Sequence, residues 1–361
     1  MIEEIKLGDL FLLKGKSVNP LQFKNEIFEL YSIPAYDTGY PEIVKGKDIG
    51  SSKKELKPGD VVISRIVPHI RRCWIIPDNN QHRKIGSGEW IVFRSSKIYN
   101  KFLRYFLLSD LFNRMFMKTI KGVGGSLMRA DPKQVGRFNL SLPPLDNQKK
   151  IAAILDEADK LRQLDKTLIE KYDALTQSLF LDMFGDPVAN SKGWEEVIFT
   201  EVMILRRGFD LPVQDRIKGD YPIMASNGIL DWHNQFKVKG PGVITGRSGT
   251  LGKVHFIESD YWPLNTSLYS QDLKENNPIY ILYLLRNFRV ERFSRGAGVP
   301  TLNRNLVHAE NIMFVPIKLQ NQFSERVQAI EAQKALAQQS LLKSEELFNS
   351  LLQKAFKWEL V

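Results

Sequence analysis

The sequence predicts a mixed α/β protein made of two pseudo-symmetric copies of one unit. Each unit is a globular domain followed by a long helix, and the two helices pair as an antiparallel coiled coil. Three observations carry this reading: an internal repeat with a period of 172 residues, β-rich runs set between Gly, Pro and Asn turns, and two long tracts free of helix breakers.

The repeat is clearest where the units end. Residues 173–186 (DALTQSLFLDMFGD) align without gaps with 345–358 (EELFNSLLQKAFKW), matching at Leu175/Leu347, Ser178/Ser350, Leu179/Leu351 and Phe184/Phe356. Upstream, 142–155 (LPPLDNQKKIAAIL) lines up with 315–327 (VPIKLQNQFSERV), sharing Pro144/Pro316 and Gln148/Gln320. Earlier echoes keep the same order. KPGDVVISR (57–65) resembles GPGVITGR (240–247), and IRRCWII (70–76) resembles LGKVHFI (251–257). FLRYFLLSDLFNRMF (102–116) resembles IYILYLLRNFRVERF (279–293), and GVGGSLMR (122–129) resembles GAGVPTLNR (296–304). The resulting division is 1–145 for the first domain, 146–187 for the central helix, 188–317 for the second domain and 318–361 for the C-terminal helix.

Within the domains, short apolar and β-branched runs at 61–64, 73–76, 89–94 and 243–245 read as strands. Amphipathic helices are expected over 100–117 and 278–293. Residues 146–184 hold no Gly or Pro, with Asp146 placed as N-cap and Gly185 as a C-terminal stop, and residues 320–356 are equally free of breakers. Leu161, Leu168 and Leu175 recur every seven residues, with Tyr172 and Leu179 on the neighbouring line. In the second helix Val327, Leu341, Phe348 and Ala355 share one line, and Ile330, Ala337 and Leu351 the other. Such seams require a partner helix, and at 1.5 Å per residue each helix is on the order of 55 Å long.

Charge and composition narrow the function. The chain of 361 residues carries a net charge of +10, which makes a polyanion the first partner to consider. The excess is uneven: +10 over 1–145, −3 over 146–187, +2 over 188–317 and +1 over 318–361. The first domain is therefore expected to supply most of a salt-dependent grip, and the second to rely on local clusters such as Arg206-Arg207 or Arg286, Arg289, Arg292 and Arg295. A single cysteine, Cys73, in an apolar run reads as core and excludes an internal disulfide or a cysteine zinc site. No run of eighteen apolar residues is present, and the start (MIEEIKLGDL) lacks a leader pattern, so a soluble cytoplasmic protein is expected.

With these residues in view, the sequence resembles the specificity subunits of type I restriction-modification systems. LPPLDNQKKIAAILDEADKL, SLLQKAFKWEL, YPIMASNGILDW (221–232) and GVITGRSGTLGKVHFI (242–257) carry the likeness, which covers nearly the whole chain. It implies two target-recognition domains, each reading one half of a bipartite site in double-stranded DNA. It further implies helices that dock methylation subunits, two by the internal symmetry, and restriction subunits that join the assembly. No cofactor belongs to this chain on that reading; S-adenosylmethionine, ATP and magnesium reside on partner subunits, and adenine is the methylated base. The chain departs from the family pattern in its first domain, which lacks an SNG-type motif and is about twenty residues longer before its helix.

Duplex binding needs cations for phosphates and a few donors for base edges. Gly-rich loops allow close backbone approach, which selects Lys121, Ser126 and Arg129 in the first domain and Arg295, Thr301, Asn303 and Arg304 in the second. Arg247 and Ser248 lie in the GRSGTLG turn, with Arg65 as the repeat counterpart of Arg247. Asn227, in SNG, has an amide suited to purine edges. Arg71, Arg72, Arg83 and Lys84 are the basic candidates of the first domain, and Arg206 and Arg207 join those of the second. The blander alternative for each is a solvated surface cation, or an Asn that only makes its turn.

Catalytic readings are weaker. Asn277-Pro278-Ile279-Tyr280 resembles the Asn-Pro-Pro-Tyr signature of amino-methyltransferases but has Ile for the second Pro, and a helix start with Pro at N1 explains it. Asp78 and Asp131 are too far apart in sequence to suggest a nuclease metal set, the five histidines are scattered, and GTLGKV lacks the P-loop spacing. A protein-binding coiled-coil scaffold explains the helices but not two basic α/β domains.

Overall fold

The computed structural model describes residues 3–12, 15–79, 81–122, 128–296, 300–357 and 359–360. The chain divides into two compact units. The first comprises Met1–Leu164 with Ser340–Val361, and the second Asp165–Gln339. The division falls inside both long helices, Leu145–Phe184 and Ile317–Ala355, so each unit holds one globular domain and a portion of each helix.

The two units repeat one topology. In the first, Val61–Ser64 is the centre of an antiparallel sheet flanked by Cys73–Ile75 and Trp90–Phe93. In the second, Gly242–Gly246 is flanked in the same way by Val254–Ile257 and Ser267–Asp272, and Ile204–Arg207 extends the sheet. A helix follows each sheet, then a minimal hairpin, Ile120–Lys121 with Arg129–Ala130 or Ser294–Arg295 with Thr301–Leu302. A short helix capped by Asp131 or Asn303 comes next, and the domain closes on a two-stranded ladder before the long helix. The expected strands are all present. The first unit also carries a five-stranded mixed sheet, and the second a three-stranded one around Tyr221–Ala225.

Both expected amphipathic helices are shorter than their patterns. The first breaks into Asn100–Leu108 and Asp110–Met117, because Ser109 caps the second piece by accepting from Phe112 N at 3.2 Å. The second ends at Phe288, where Arg289 takes φ 55°, and a 3-10 turn follows. Hydrophobic periodicity runs through both breaks and so conceals them.

The glutamines matched by the repeat have one shared role. Gln148 Nε2 donates to Pro143 O at 2.8 Å, and its Oε1 accepts from Tyr99 N at 2.7 Å. Gln320 Nε2 donates to Val315 O at 2.7 Å, and its Oε1 accepts from Asn277 N at 2.9 Å. Each buried amide ties the start of a long helix to the start of its domain's own helix. Aromatic contacts complete the joint. Phe356 lies 5.3 and 5.4 Å from Phe102 and Phe106 in the first unit, and Phe184 lies 5.1 Å from Tyr280 in the second. Cys73 is buried, and burial pushes its thiol up to about 12, as expected of a core residue.

The helix seam requires one correction. Val327, Phe348, Ala337 and Ala355 are buried, while Ile330, Leu341 and Leu351 are half-buried, as the C-terminal pattern predicts. In the central helix Tyr172 and Leu179 are half-buried, but Leu161, Leu168 and Leu175 are 51%, 40% and 49% exposed. The inward line passes one residue later, through Arg162, Ile169 and Thr176, about 100° round the helix. Two of its three residues are polar: the Arg162 guanidinium sits over the Phe348 ring, 4.3 Å from its centroid, and covers it in place of an aliphatic residue. In the second unit Asp173 meets Lys334 and Met183 meets Arg326, so the two helix portions run antiparallel there. Among the described residues no helix is long and apolar enough to cross a membrane.

Candidate nucleic-acid interface

In the second unit, tertiary structure gathers residues that the sequence scatters over almost a hundred positions. Arg207 ends its strand opposite Leu268, and Gly246 ends its own opposite Ser267, both on the strand Ser267–Asp272 between them, so Arg207 and Arg247 emerge at one end of the sheet. A Cβ on Gly246 would stand 1.8 Å from Thr250 O, so the GRSGTLG turn needs glycine there; Gly249, at φ 84°, needs it for its backbone. The hairpin is stitched to this turn. Ser248 bridges Thr301, and Leu302 N donates to Arg247 O at 2.8 Å. A cleft of about 450 Å³ results, lined by Arg207, Arg247, Arg295, Thr301, Asn303 and Arg304.

Six of the nine second-domain candidates thus meet in one place. Arg206 alternates to the other side of its strand and does not line the cleft. Asn227 is exposed and accepts from Lys253 Nζ at 3.3 Å, while Ser248 sits beside Thr301. Asn303 caps the short helix by accepting from Asn305 N at 3.0 Å, which fixes its oxygen towards the helix and leaves its amino group for another partner. Among the described residues no carboxylate forms an ion pair with Arg247, Arg295 or Arg304, and Arg207 is 3.9 Å from Asp210.

The first unit has the same hairpin but a different charge balance. Arg65 and Arg129 share Glu89 at 2.9 and 3.1 Å, and Lys121 pairs with Asp131 at 2.6 Å. Arg71 meets Asp110 at 2.6 Å, Arg72 grips Asp37 through two bonds of 2.7 Å, and Arg83 meets Glu55 at 3.0 Å. The hydrogen bonds from Lys121 and Arg72 hold the Asp131 and Asp37 carboxyls below the usual carboxylate range, so those acids stay ionised beside their cations. A cation already neutralised by an ionised neighbour adds less to phosphate binding than a free one. Net charge favours the first domain, whereas unpaired guanidinium groups favour the second. Ser126 lies outside the described residues.

Three placements differ from expectation. Lys84 is 4% exposed, on the strand Arg83–Gly86, where it pairs at 2.6 Å with buried Glu29 in parallel register. It is a core ion pair rather than a DNA-facing cation. Lys84→Ala is expected to destabilise the first unit by about 3–5 kcal/mol by stranding Glu29, read as a lower denaturation midpoint, with no change in the salt dependence of DNA binding. Arg71 lines a cleft of about 660 Å³ together with Arg104, Arg114, Arg162 and Phe348, at the helices of the first unit. Arg129 aligns with Arg304 by sequence, but the ladders pair Lys121 with Arg129 and Arg295 with Thr301, so Thr301 is its structural counterpart.

The second unit has another cleft, of about 540 Å³, whose lining includes Asp210, Arg216, Ser226, Leu230 and Asn265, none of them among the sequence candidates. Phe209 bridges Leu264 in parallel, which sets Asp210 beside Asn265, and Asn265 Nδ2 donates to Asp210 Oδ1. Arg247 Nη1 donates to Asn265 O at 3.3 Å, joining this cleft to the arginine cleft. Nothing local marks these residues, since the partners lie 55 positions apart.

The chain is thus a duplicated α/β unit, each copy followed by a helix, and the second copy bears an arginine-lined cleft of the kind that suits a polyanion. The family model described as the type I restriction modification DNA specificity domain matches residues 2–172 and 191–344. The chain belongs to that family. It is 24% identical over 190 residues to a putative type I specificity subunit of Mycoplasma pneumoniae, a match covering 49% of this chain and 52% of that protein. The chain therefore spans about half the length of that curated relative. The fold resembles a structure from work on complex assembly and conformational transition of the type I R-M system, with TM-score 0.63, 17% identity and 99% and 98% of the two chains covered. It also resembles the type I restriction-modification S subunit from M. genitalium, with TM-score 0.61, 15% identity and 99% and 96% covered.

Proposed function

We propose that this chain reads a bipartite duplex target, one half-site per unit, as the specificity subunit of a type I restriction-modification complex. The observation that carries the reading is the repeated hairpin beside the end of the sheet, cationic in both units and open in the second. Methylation subunits dock on the outward faces of the long helices, and restriction subunits join that core. Exposed leucines support two equivalent docking faces: Leu164 with Leu347 in the first unit, and Leu336 with Leu175 in the second, occupy the same repeat positions. S-adenosylmethionine, ATP and magnesium are held by the partners.

Independent reading is tested by exchanging residues 1–142 for another recognition domain and sequencing the methylome of a host carrying the complete system. One half-site changes and the other is retained. Alteration of both halves, or methyl transfer by the purified chain alone, contradicts the proposal.

A further inference from the structure

We propose that Asn265, held by Asp210 and flanked by Leu230, reads an A·T base pair in the half-site of the second unit. The assignment rests on the DNA-reading function proposed above and names the base chemistry of one cleft.

Asn265 donates one Nδ2 hydrogen to Asp210 Oδ1, which fixes the orientation of its amide. The other Nδ2 hydrogen and the Oδ1 acceptor remain available. That is the donor–acceptor pair that matches adenine N7 and N6 in the major groove. Asp210 is in turn 3.9 Å from Arg207 Nη2, and Arg247 Nη1 donates to the backbone carbonyl of Asn265, so two arginines of the adjoining cleft border the residue and its Asp210 partner. Phosphate-neutralising and edge-reading groups are therefore contiguous, as base readout requires.

Leu230 supplies the second half of the recognition. In the hairpin of Tyr221–Ala225 and Gly228–His233, Met224 pairs with Ile229 and Ile223 with Asp231, so Leu230 has no partner across the ladder. Such bulges re-aim a side chain. Leu230 is 56% exposed and lines the same cleft as Asn265. An exposed aliphatic group beside an adenine-reading amide matches the C5-methyl of the paired thymine, which uracil lacks.

The test uses the chain assembled with its methylation subunits and a randomised duplex library, followed by duplexes in which each thymine of the second unit's half-site is replaced in turn by uracil. Asn265→Ala is expected to lower the preference for A·T at one position of that half-site on the order of tenfold or more, leaving the other half-site unchanged. Uracil at that pair weakens the parent complex, and Leu230→Ala removes the difference between thymine and uracil. The assignment is overturned if Asn265→Ala retains the full motif or loses affinity equally for all sequences, or if the parent binds every uracil duplex as tightly as thymine. The uracil comparison needs no variant, so it stands even where a substitution disturbs folding. A parent complex with no sequence preference overturns the functional reading as well.

Discussion

Replacing Arg295 and Arg304 together with alanine weakens binding to all duplexes to a similar degree and lowers the salt slope by about two phosphate contacts. Each neutralised phosphate contributes roughly 0.9 to the slope of log affinity against log salt. Over a fourfold rise in salt, from about 50 to 200 mM, the double variant therefore loses roughly tenfold less affinity than the parent. Both side chains line the cleft of the second unit, and neither forms an ion pair with a carboxylate among the described residues. Arg72→Ala is the natural comparison. Its guanidinium is already held by Asp37, so a smaller change in slope is expected although the first domain carries nearly all of the net charge. Titration of affinity against salt for both variants decides the matter; equal slopes for parent and double variant would place the phosphate contacts elsewhere.

Shortening both long helices changes the spacing between half-sites and leaves their sequences intact. The helices run 40 and 39 residues. Removing the repeat-equivalent stretches 167–170 and 339–342 takes about 6 Å from each at 1.5 Å per residue, or one to two base pairs at about 3.4 Å each. Four residues are close to one helical turn, so the inward lines return to register within about 40°. The large buried residues of each core, Phe180 and Phe323 in the second unit and Phe348 and Phe356 in the first, lie outside the deleted stretches. Methylome sequencing reads the outcome as an unread spacer shorter by one or two bases. A spacer of the original length would mean that the helices do not set it.

Much of the framework was legible because it follows from local patterns. The breaker-free tracts became helices at 145–184 and 317–355, and the four strand runs appear where β-branched residues cluster. Gln148 and Gln320, noted only as a repeat match, make the same hydrogen bonds in both units. The seam of the central helix was misread because leucine spacing favours Leu161, Leu168 and Leu175, whereas the buried side of the helix accepts Arg162 stacked on Phe348. A hydrophobic pattern cannot register an arginine whose stem and planar head cover an aromatic ring.

The candidate site was legible by residue type and illegible by neighbourhood. Glycine-rich turns pointed to Arg247, Arg295, Thr301, Asn303 and Arg304, which do converge. Lys84 looked like any other strand cation until parallel register set it against Glu29, and Glu89 gave no sign that it would neutralise both Arg65 and Arg129. By itself the sequence determined the duplication, the two long helices and the family likeness, because each is written in spacing along the chain. Tertiary structure alone decided which face of the central helix is buried, which arginines are left without a carboxylate, and that Asn265 meets Asp210. Those outcomes depend on strand register between segments tens of residues apart, and a one-residue change in register turns every side chain to the opposite face.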